Sequence, residues 1–248
     1  MADSPKVIAV TGASRGIGAA IALELRRRGH VVGCLARSGR GPDVAGEPPA
    51  GRFVEIACDV TREASVRDAL AKLADSAGAL NGLVNNAGIL RDGPSHELPT
   101  ATWDEVMATN ATSAFVCSRE AYPHLVRAGG GIIVNIGSFF DKIGVKRNLA
   151  YCASKAAVGA ITRCLAVEWA GKGIRVMDVA PGYIVTDLNA DSMAEGGPLR
   201  AYLDKRIPGR KPGCAADIGA LVASLFTPAG GFLTGETIYV DGGQAVAH

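Results

Sequence analysis

No C-x-x-C pair occurs anywhere in the 248 residues, and the six cysteines, Cys34, Cys58, Cys117, Cys152, Cys164 and Cys214, lie mostly inside apolar runs. Scattered thiols of this kind exclude a zinc ribbon and a disulfide framework, so no metal site and a reducing, cytoplasmic setting are expected. An excess of charge is missing too: 26 Lys+Arg against 24 Asp+Glu leave a formal net charge of +2. A balance so close to neutral gives neither nucleic acid nor an anionic membrane a reason to bind, and neither is expected as a partner. The N-terminus runs straight into an apolar strand-like stretch, without the basic and then long apolar regions of a signal peptide. The uncharged stretch from Ile218 to Gly235 is broken by Pro228, Gly230, Gly231 and Gly235. It reads as a helix followed by a loop, not as a membrane span. Glycine is abundant, at 32 residues, but has neither a collagen period nor Gly/Ser tracts. These glycines read as turns and close backbone approaches.

What is present is alternation. KVIAVT at 6–11, HVVGCLA at 30–36, RFVEIACDV at 52–60, LNGLVNNAG at 80–88, GIIVNIGS at 131–138, IRVMDVAPG at 174–182 and ETIYVDGG at 236–243 read as strands. Helical spacing fills the intervals: Ile17 to a stop at Gly29, Ala64 to Ser76, Trp103 to about Ala128, about Ala150 to Gly171, and about Ala215 to Phe226. Strands that are apolar throughout suit a parallel sheet covered on both faces. The pattern predicts one domain over 1–248 with an α/β, doubly wound Rossmann-type fold, a single seven-stranded parallel sheet with helices on both faces. Ligands then belong outside the carboxyl ends of the strands. There is no internal repeat and no break in composition. The segment from about 187 to 212, with Gly196-Gly197-Pro198, Pro208-Gly209 and Pro212, is expected to act as a lid.

Two motifs carry chemistry. Thr11-Gly12-Ala13-Ser14-Arg15-Gly16-Ile17-Gly18 lies between the first strand and the first helix, where backbone N–H groups and the helix N-terminus can face a pyrophosphate. Its spacing is G-x-x-x-G-x-G, neither the general dinucleotide fingerprint nor a P-loop, and taken alone it fits a tight turn equally well. Tyr151 and Lys155 are four residues apart, which puts phenol and ammonium on one helical face. A lysine at that distance favours the phenolate, so a lowered tyrosine pKa and a usable acid/base near neutral pH are expected. A tyrosine packed in a helix beside a solvated lysine has the same spacing.

Together with Cys58-Asp59-Val60, Asn85-Asn86-Ala87-Gly88, Asn110, Ser138 and Pro181-Gly182 leading to Thr186, these motifs resemble the short-chain dehydrogenase/reductase family from Lys6 to Gly243. Within it the closest likeness is to 3-oxoacyl acyl-carrier-protein reductases. The resemblance implies a catalytic set of Asn110, Ser138, Tyr151 and Lys155. Tyr151 would exchange the proton with the substrate oxygen, Ser138 would hold that oxygen, and Lys155 would bind the nicotinamide ribose and lower the pKa of Tyr151. Asn110 would hold a water linked to Lys155. It further implies that Gly12, Ser14, Gly16, Ile17 and Gly18 line the pyrophosphate, that Asp59 and Val60 meet the adenine, and that Asn86, Ala87 and Gly88 pass the adenosine ribose. Pro181, Gly182, Ile184 and Thr186 would flank the nicotinamide.

An acidic residue closing the second strand selects NAD(H); here Ala36 stands there, followed by Arg37 and Ser38, with Arg15 in reach. Two guanidinium groups suit a ribose 2′-phosphate, so NADP(H) is favoured, with NAD(H) left open. Arg91-Asp92 and PGYIVTDL look like the 3-oxoacyl reductases, while Phe139-Phe140-Asp141, KRNLA before Tyr151, and Met177-Asp178 depart from them. The departures keep a sugar acid, polyol or cyclic ketone open as substrate, with Phe139, Phe140, Tyr183, Met193, Leu199 and Tyr202 as a candidate apolar wall. An acyl carrier protein is an open partner, through Arg127 and Lys172. A nucleotide sensor without catalysis is the alternative of another class, which the full catalytic set opposes. The family's usual assembly implies a homotetramer, pairing the helices at about 103–128 and 150–171.

Overall fold

A computed structural model describes residues 4–43, 50–187 and 189–247. The N-terminal Met1 to Asp3 and, within the expected lid, Leu188 lie outside the described residues. In chain order the elements are β1 (Val7–Thr11), α1 (Gly16–Arg27), β2 (Val31–Ala36), β3 (Arg52–Ala57), α2 (Glu63–Ala77) and β4 (Gly82–Asn85). These are followed by α3 (Thr100–Met107), α4 (Ser113–Arg127), β5 (Gly131–Ile136), α5 (Leu149–Trp169), β6 (Ile174–Pro181) and β7 (Ile184–Val185). Last come α6 (Ala190–Met193), α7 (Arg200–Arg206), β8 (Gly213–Cys214), α8 (Ala215–Leu225) and β9 (Thr237–Val240).

The seven strands read from the sequence form one sheet in the order β3-β2-β1-β4-β5-β6-β9, every neighbouring pair parallel. Successive strand residues point to opposite faces, which explains the unbroken apolar runs. Val7 and Ala9 of β1 join α2, α4 and α5 residues such as Leu70, Leu73, Ala121, Leu125 and Trp169 in one core. Ile8 and Val10 turn the other way, onto Ile21 and Leu25 of α1 and Ile218, Val222 and Phe226 at α8. Each fully buried side chain of this size contributes about 1.5–3 kcal/mol.

The fold differs from the sequence reading in three places. A second, two-stranded sheet exists: β7 pairs parallel with β8, Ile184 opposite Gly213 and Val185 opposite Cys214. Runs of two residues leave no periodicity to read. The segment at 187–212 contains α6 and α7, whose Met193 and Leu203, with Ile207, form a small apolar cluster against Tyr183, Val185 and Leu199. The helix expected at 103–128 starts at Thr100 and is divided by a π turn, Ala108–Thr112. Such a bulge marks functional sites, and here it contains Asn110.

Candidate active site

The strand order reverses between β1 and β4, where the crossovers leave the sheet in opposite directions and open a crevice at the carboxyl ends. A cavity of about 1020 Å³ fills that crevice, reaching from the β2 end to the β6 end. Every predicted catalytic and cofactor-binding residue lines it except Asn110; of the candidate apolar wall, Phe139, Phe140, Tyr183 and Met193 line it and Leu199 and Tyr202 do not.

The glycine-rich loop closes one side. Thr11 is the hub: its hydroxyl donates to Val84 O at 3.3 Å and accepts from the N–H groups of Asn86 and Ala87 at 2.9 and 3.0 Å. The Asn86 amide donates to the carbonyls of Thr11 (2.9 Å) and Gly12 (3.3 Å), so this side chain braces the loop, whereas the resemblance had it facing the ribose. Gly12 has φ +66° and Gly16 φ +59°, a region that glycine enters at little cost. At Gly18 a Cβ would lie 2.3 Å from Gly12 O, so only glycine brings the start of α1 this close to the loop. Helix α1 has no side-chain cap and no acidic residue in its first turn. Its first N–H groups and positive end therefore face the cavity beside Ser14 and Arg15, and this uncapped cradle fits a pyrophosphate.

Beyond β2, Arg37 and Ser38 border the cavity. Asp59, beside Val60, accepts from the hydroxyl and N–H of Thr61 (2.7 and 3.0 Å). Those bonds, helped by the nearby Arg37 and Arg62 charges, hold its carboxyl below the usual range. At the other end Asn189, which the sequence reading missed, accepts from Thr186 N at 2.7 Å and donates to Ile184 O at 2.9 Å. It pins Ile184 and Thr186, next to Pro181 and Gly182, along the cavity wall. An asparagine three residues after Thr186, at a strand end, is a turn signal that could have exposed it.

Ser138 leaves β5 with extended backbone (φ −168°), and its Oγ accepts from Phe140 N at 3.3 Å, capping the short turn at 139–141. Tyr151 approaches from α5 with Ser138 beside it in the cavity wall. Burial pushes the Tyr151 phenol above its ordinary pKa, with the Ser138 hydroxyl pulling the other way. This corrects the expected lowering: Lys155 donates instead to Ile136 O at 2.7 Å, its Nζ lying 5.6 Å from the centre of the Tyr151 ring. Burial holds the Lys155 ammonium down at about 8, with Asp178 acting against it. Phe140 meets the Tyr151 ring edge-on at 5.8 Å, and Phe139 and Tyr183 extend the aromatic wall.

Asn110 is the one predicted catalytic residue that does not line the cavity. Its side chain is consumed: Oδ1 accepts from Ile89 N (2.8 Å), and Nδ2 donates to Ile89 O (2.9 Å) and to Ser154 Oγ (3.0 Å). Ser154 in turn donates to Tyr151 O at 2.7 Å. The side chain thus clamps the segment after β4 to the turn of α5 that carries Tyr151.

Known proteins resemble this chain over nearly its whole length. A family model described as enoyl-(acyl carrier protein) reductase matches residues 12–245. A 3-oxoacyl acyl-carrier-protein reductase of Vibrio cholerae is 36% identical over 96% of this chain and 97% of its own. A cis-4-hydroxycyclohexanecarboxylate dehydrogenase of Sinomonas cyclohexanicum is 37% identical over 98% and 97%. A solved chain from Agrobacterium tumefaciens with bound NADP superposes with a TM-score of 0.87 at 33% identity, covering 98% of this chain and 97% of that one. The chain is an oxidoreductase and belongs to the short-chain dehydrogenase/reductase family.

Proposed function

We propose that the protein transfers a hydride between NADP(H) and a carbonyl or secondary alcohol, with Ser138, Tyr151 and Lys155 as its catalytic residues. The observation that carries this reading is the meeting of those three side chains in one cavity with the uncapped start of α1. Gly12, Ser14, Gly16, Ile17 and Gly18 hold the pyrophosphate, Asp59 and Val60 the adenine, and the backbone of Asn86, Ala87 and Gly88 the adenosine ribose. Arg15, Arg37 and Ser38 take the 2′-phosphate, there being no carboxylate at Ala36 to repel it. Pro181, Gly182, Ile184 and Thr186 flank the nicotinamide, which when bound supplies or accepts the hydride.

Tyr151 Oη gives its proton to the carbonyl oxygen during reduction and takes the hydroxyl proton during oxidation. Ser138 Oγ, which lines the same cavity as that phenol, holds the same oxygen and stabilises the charge that develops on it. The buried Lys155 ammonium lies close enough to favour the phenolate once Tyr151 has given up its proton. Asn110 is a positioning residue. The segment at 187–212, hinged at the β7/β8 pair, acts as the lid.

For the substrate we favour a 3-oxoacyl thioester, the group named in the Vibrio cholerae relative. Delivery on an acyl carrier protein would use Arg127 and Lys172. A second reading, a cyclic alcohol or ketone, is supported by the flat wall of Phe139, Phe140 and Tyr183 beside Tyr151 and by the substrate named in the Sinomonas relative. Assembly as a homotetramer is supported by apolar side chains exposed on the long helices, Phe115 of α4 and Val167 (83% exposed) of α5. Cytoplasmic residence is supported by the free state of all six cysteines. Nicotinamide absorbance tests the whole reading, with 3-oxoacyl thioesters and cyclic ketones offered with NADPH and NADH in parallel. Loss of NADPH absorbance with thioesters is expected; turnover of cyclic ketones alone selects the second reading. Preference for NADH overturns the assignment of Arg15 and Arg37.

A further inference from the structure

Asp178 lies inside β6 with no exposure at all, on a strand whose other buried residues are apolar. Its Oδ2 accepts from the Thr237 hydroxyl at 3.1 Å, and its Oδ1 has no hydrogen-bond partner. A buried carboxylate with one oxygen unsatisfied is costly unless an opposite charge faces it. Its surroundings are tight. A Cβ on Gly137 would lie 2.4 Å from Oδ1, and one on Gly159 4.0 Å from Oδ2. Gly137 separates Ser138 from Ile136, whose carbonyl accepts from Lys155. Gly159 lies one turn beyond Lys155 on the same face of α5. The carboxylate is therefore wedged between the end of β5 and the helical face that carries Lys155.

We propose that Asp178 is a positioning residue, the buried counter-charge that keeps the Lys155 ammonium protonated beneath Tyr151. The proposal rests on the role given to Lys155 above. Other charged and titratable groups close the same space. Helix α5 contributes Lys155 and Arg163, and the turn after β5 contributes Asp141 and Lys142. Strand β9 contributes Tyr239, whose hydroxyl bonds both oxygens of Asp141 at 3.1 and 3.0 Å and whose ring lies 4.0 Å from Lys142 Nζ. Asp141 is faced by Tyr239, Lys142 and Arg163, and Lys155 is the cation that acts on Asp178. Burial raises the Asp178 carboxyl to about 6 and lowers Lys155 to about 8, so both are charged across the interval between, which spans neutral pH. Asp178 is the influence that holds the lysine proton against burial; without it the proton leaves at lower pH.

The test is the pH dependence of kcat/KM for NADPH-dependent carbonyl reduction by the full chain. Lys155 titrates below Tyr151, so the alkaline limb reports the lysine. In Asp178→Asn that limb moves to lower pH by on the order of one unit. Asp178→Ser also removes the charge, so a move in the same direction and of similar size is expected. An unmoved limb in a folded, active Asp178→Asn overturns the proposal. Should that variant not fold, an unmoved limb in a folded Asp178→Ser overturns it instead. Wild-type protein that reduces no carbonyl overturns the proposed function, an outcome separate from either limb.

Discussion

Replacing Asp178 by Asn is expected to stabilise the protein at alkaline pH while leaving acid stability nearly unchanged. The cause is the same burial that gives the residue its place beside Lys155. The Asp178 carboxyl is raised from 3.8 to about 6. At about 1.4 kcal/mol per pH unit, the difference corresponds to on the order of 3 kcal/mol. The folded state binds this proton more tightly than the unfolded chain does. Stability from it is thus fully present below 3.8 and is lost as pH rises to about 6, beyond which the loss is constant. An amide of the same shape carries no such penalty. Chemical denaturation of both proteins near pH 4 and near pH 8 should give similar midpoints at the acid value and a more stable variant, by on the order of 3 kcal/mol, at the alkaline one. A stability gap that is equal at both pH values, or a variant less stable near pH 8, refutes the reasoning. Combined with the shifted rate profile of the same variant, the expected result is a protein made sturdier by losing a functional charge.

Tyr151→Phe should lower turnover by ~100-fold or more, the scale of lost general acid/base catalysis, while NADPH binding followed by nicotinamide fluorescence stays intact. Arg37→Ala should raise the KM for NADPH roughly tenfold, the loss of one charge-assisted hydrogen bond, and leave the KM for NADH unchanged in steady-state assays. Asn110→Ala removes three hydrogen bonds and strands the Ile89 peptide. At about 1 kcal/mol each, it should cost roughly 3 kcal/mol in denaturant titrations and lower kcat more than it raises KM.

The sheet was legible because its strands are mainly apolar runs ended by glycine or a turn residue; β3, with Arg52 and Glu55 exposed, lies at the sheet edge. Parallel pairing followed from those runs being apolar on both faces. The cavity wall was legible for a different reason: strand ends at a switch point must face it, whatever side chains they carry. Side-chain partners were not legible. Nothing in the spacing of Tyr151 and Lys155 says that Ile136 O will capture the ammonium, since that carbonyl comes from a strand some twenty residues earlier. The resemblance singles out Asn110 but does not say which protein groups its side chain meets. The partner is the Ile89 peptide, brought near by the β4 crossover and visible only in three dimensions. Asp178 stood out in the sequence only as a departure from relatives; its enclosure by Gly137, Gly159 and Thr237 depends on three elements meeting.

The buried amides also explain how a helix packed mainly through aliphatic side chains can hold two reactive groups steady. Apolar contacts are non-directional and resist sliding weakly, whereas a hydrogen bond fixes register. Asn85 Nδ2 donates to Asn135 Oδ1 at 2.8 Å and to Ser118 Oγ at 3.0 Å, and Asn135 Nδ2 donates to Thr162 Oγ1 at 2.8 Å. The chain of bonds ties α4, β4, β5 and α5 together, with Thr162 two turns beyond Lys155 on the same face of α5. Nearer the start of that helix, Asn110 grips Ser154, which donates to Tyr151 O three residues earlier. Helix α5 is thus held at two heights, one on each side of Lys155. A site that needs its groups within about 0.5 Å of productive geometry gains from such bracing what packing alone does not supply. The π turn follows from the same demand: it lets Asn110 reach the Ile89 peptide and Ser154 together.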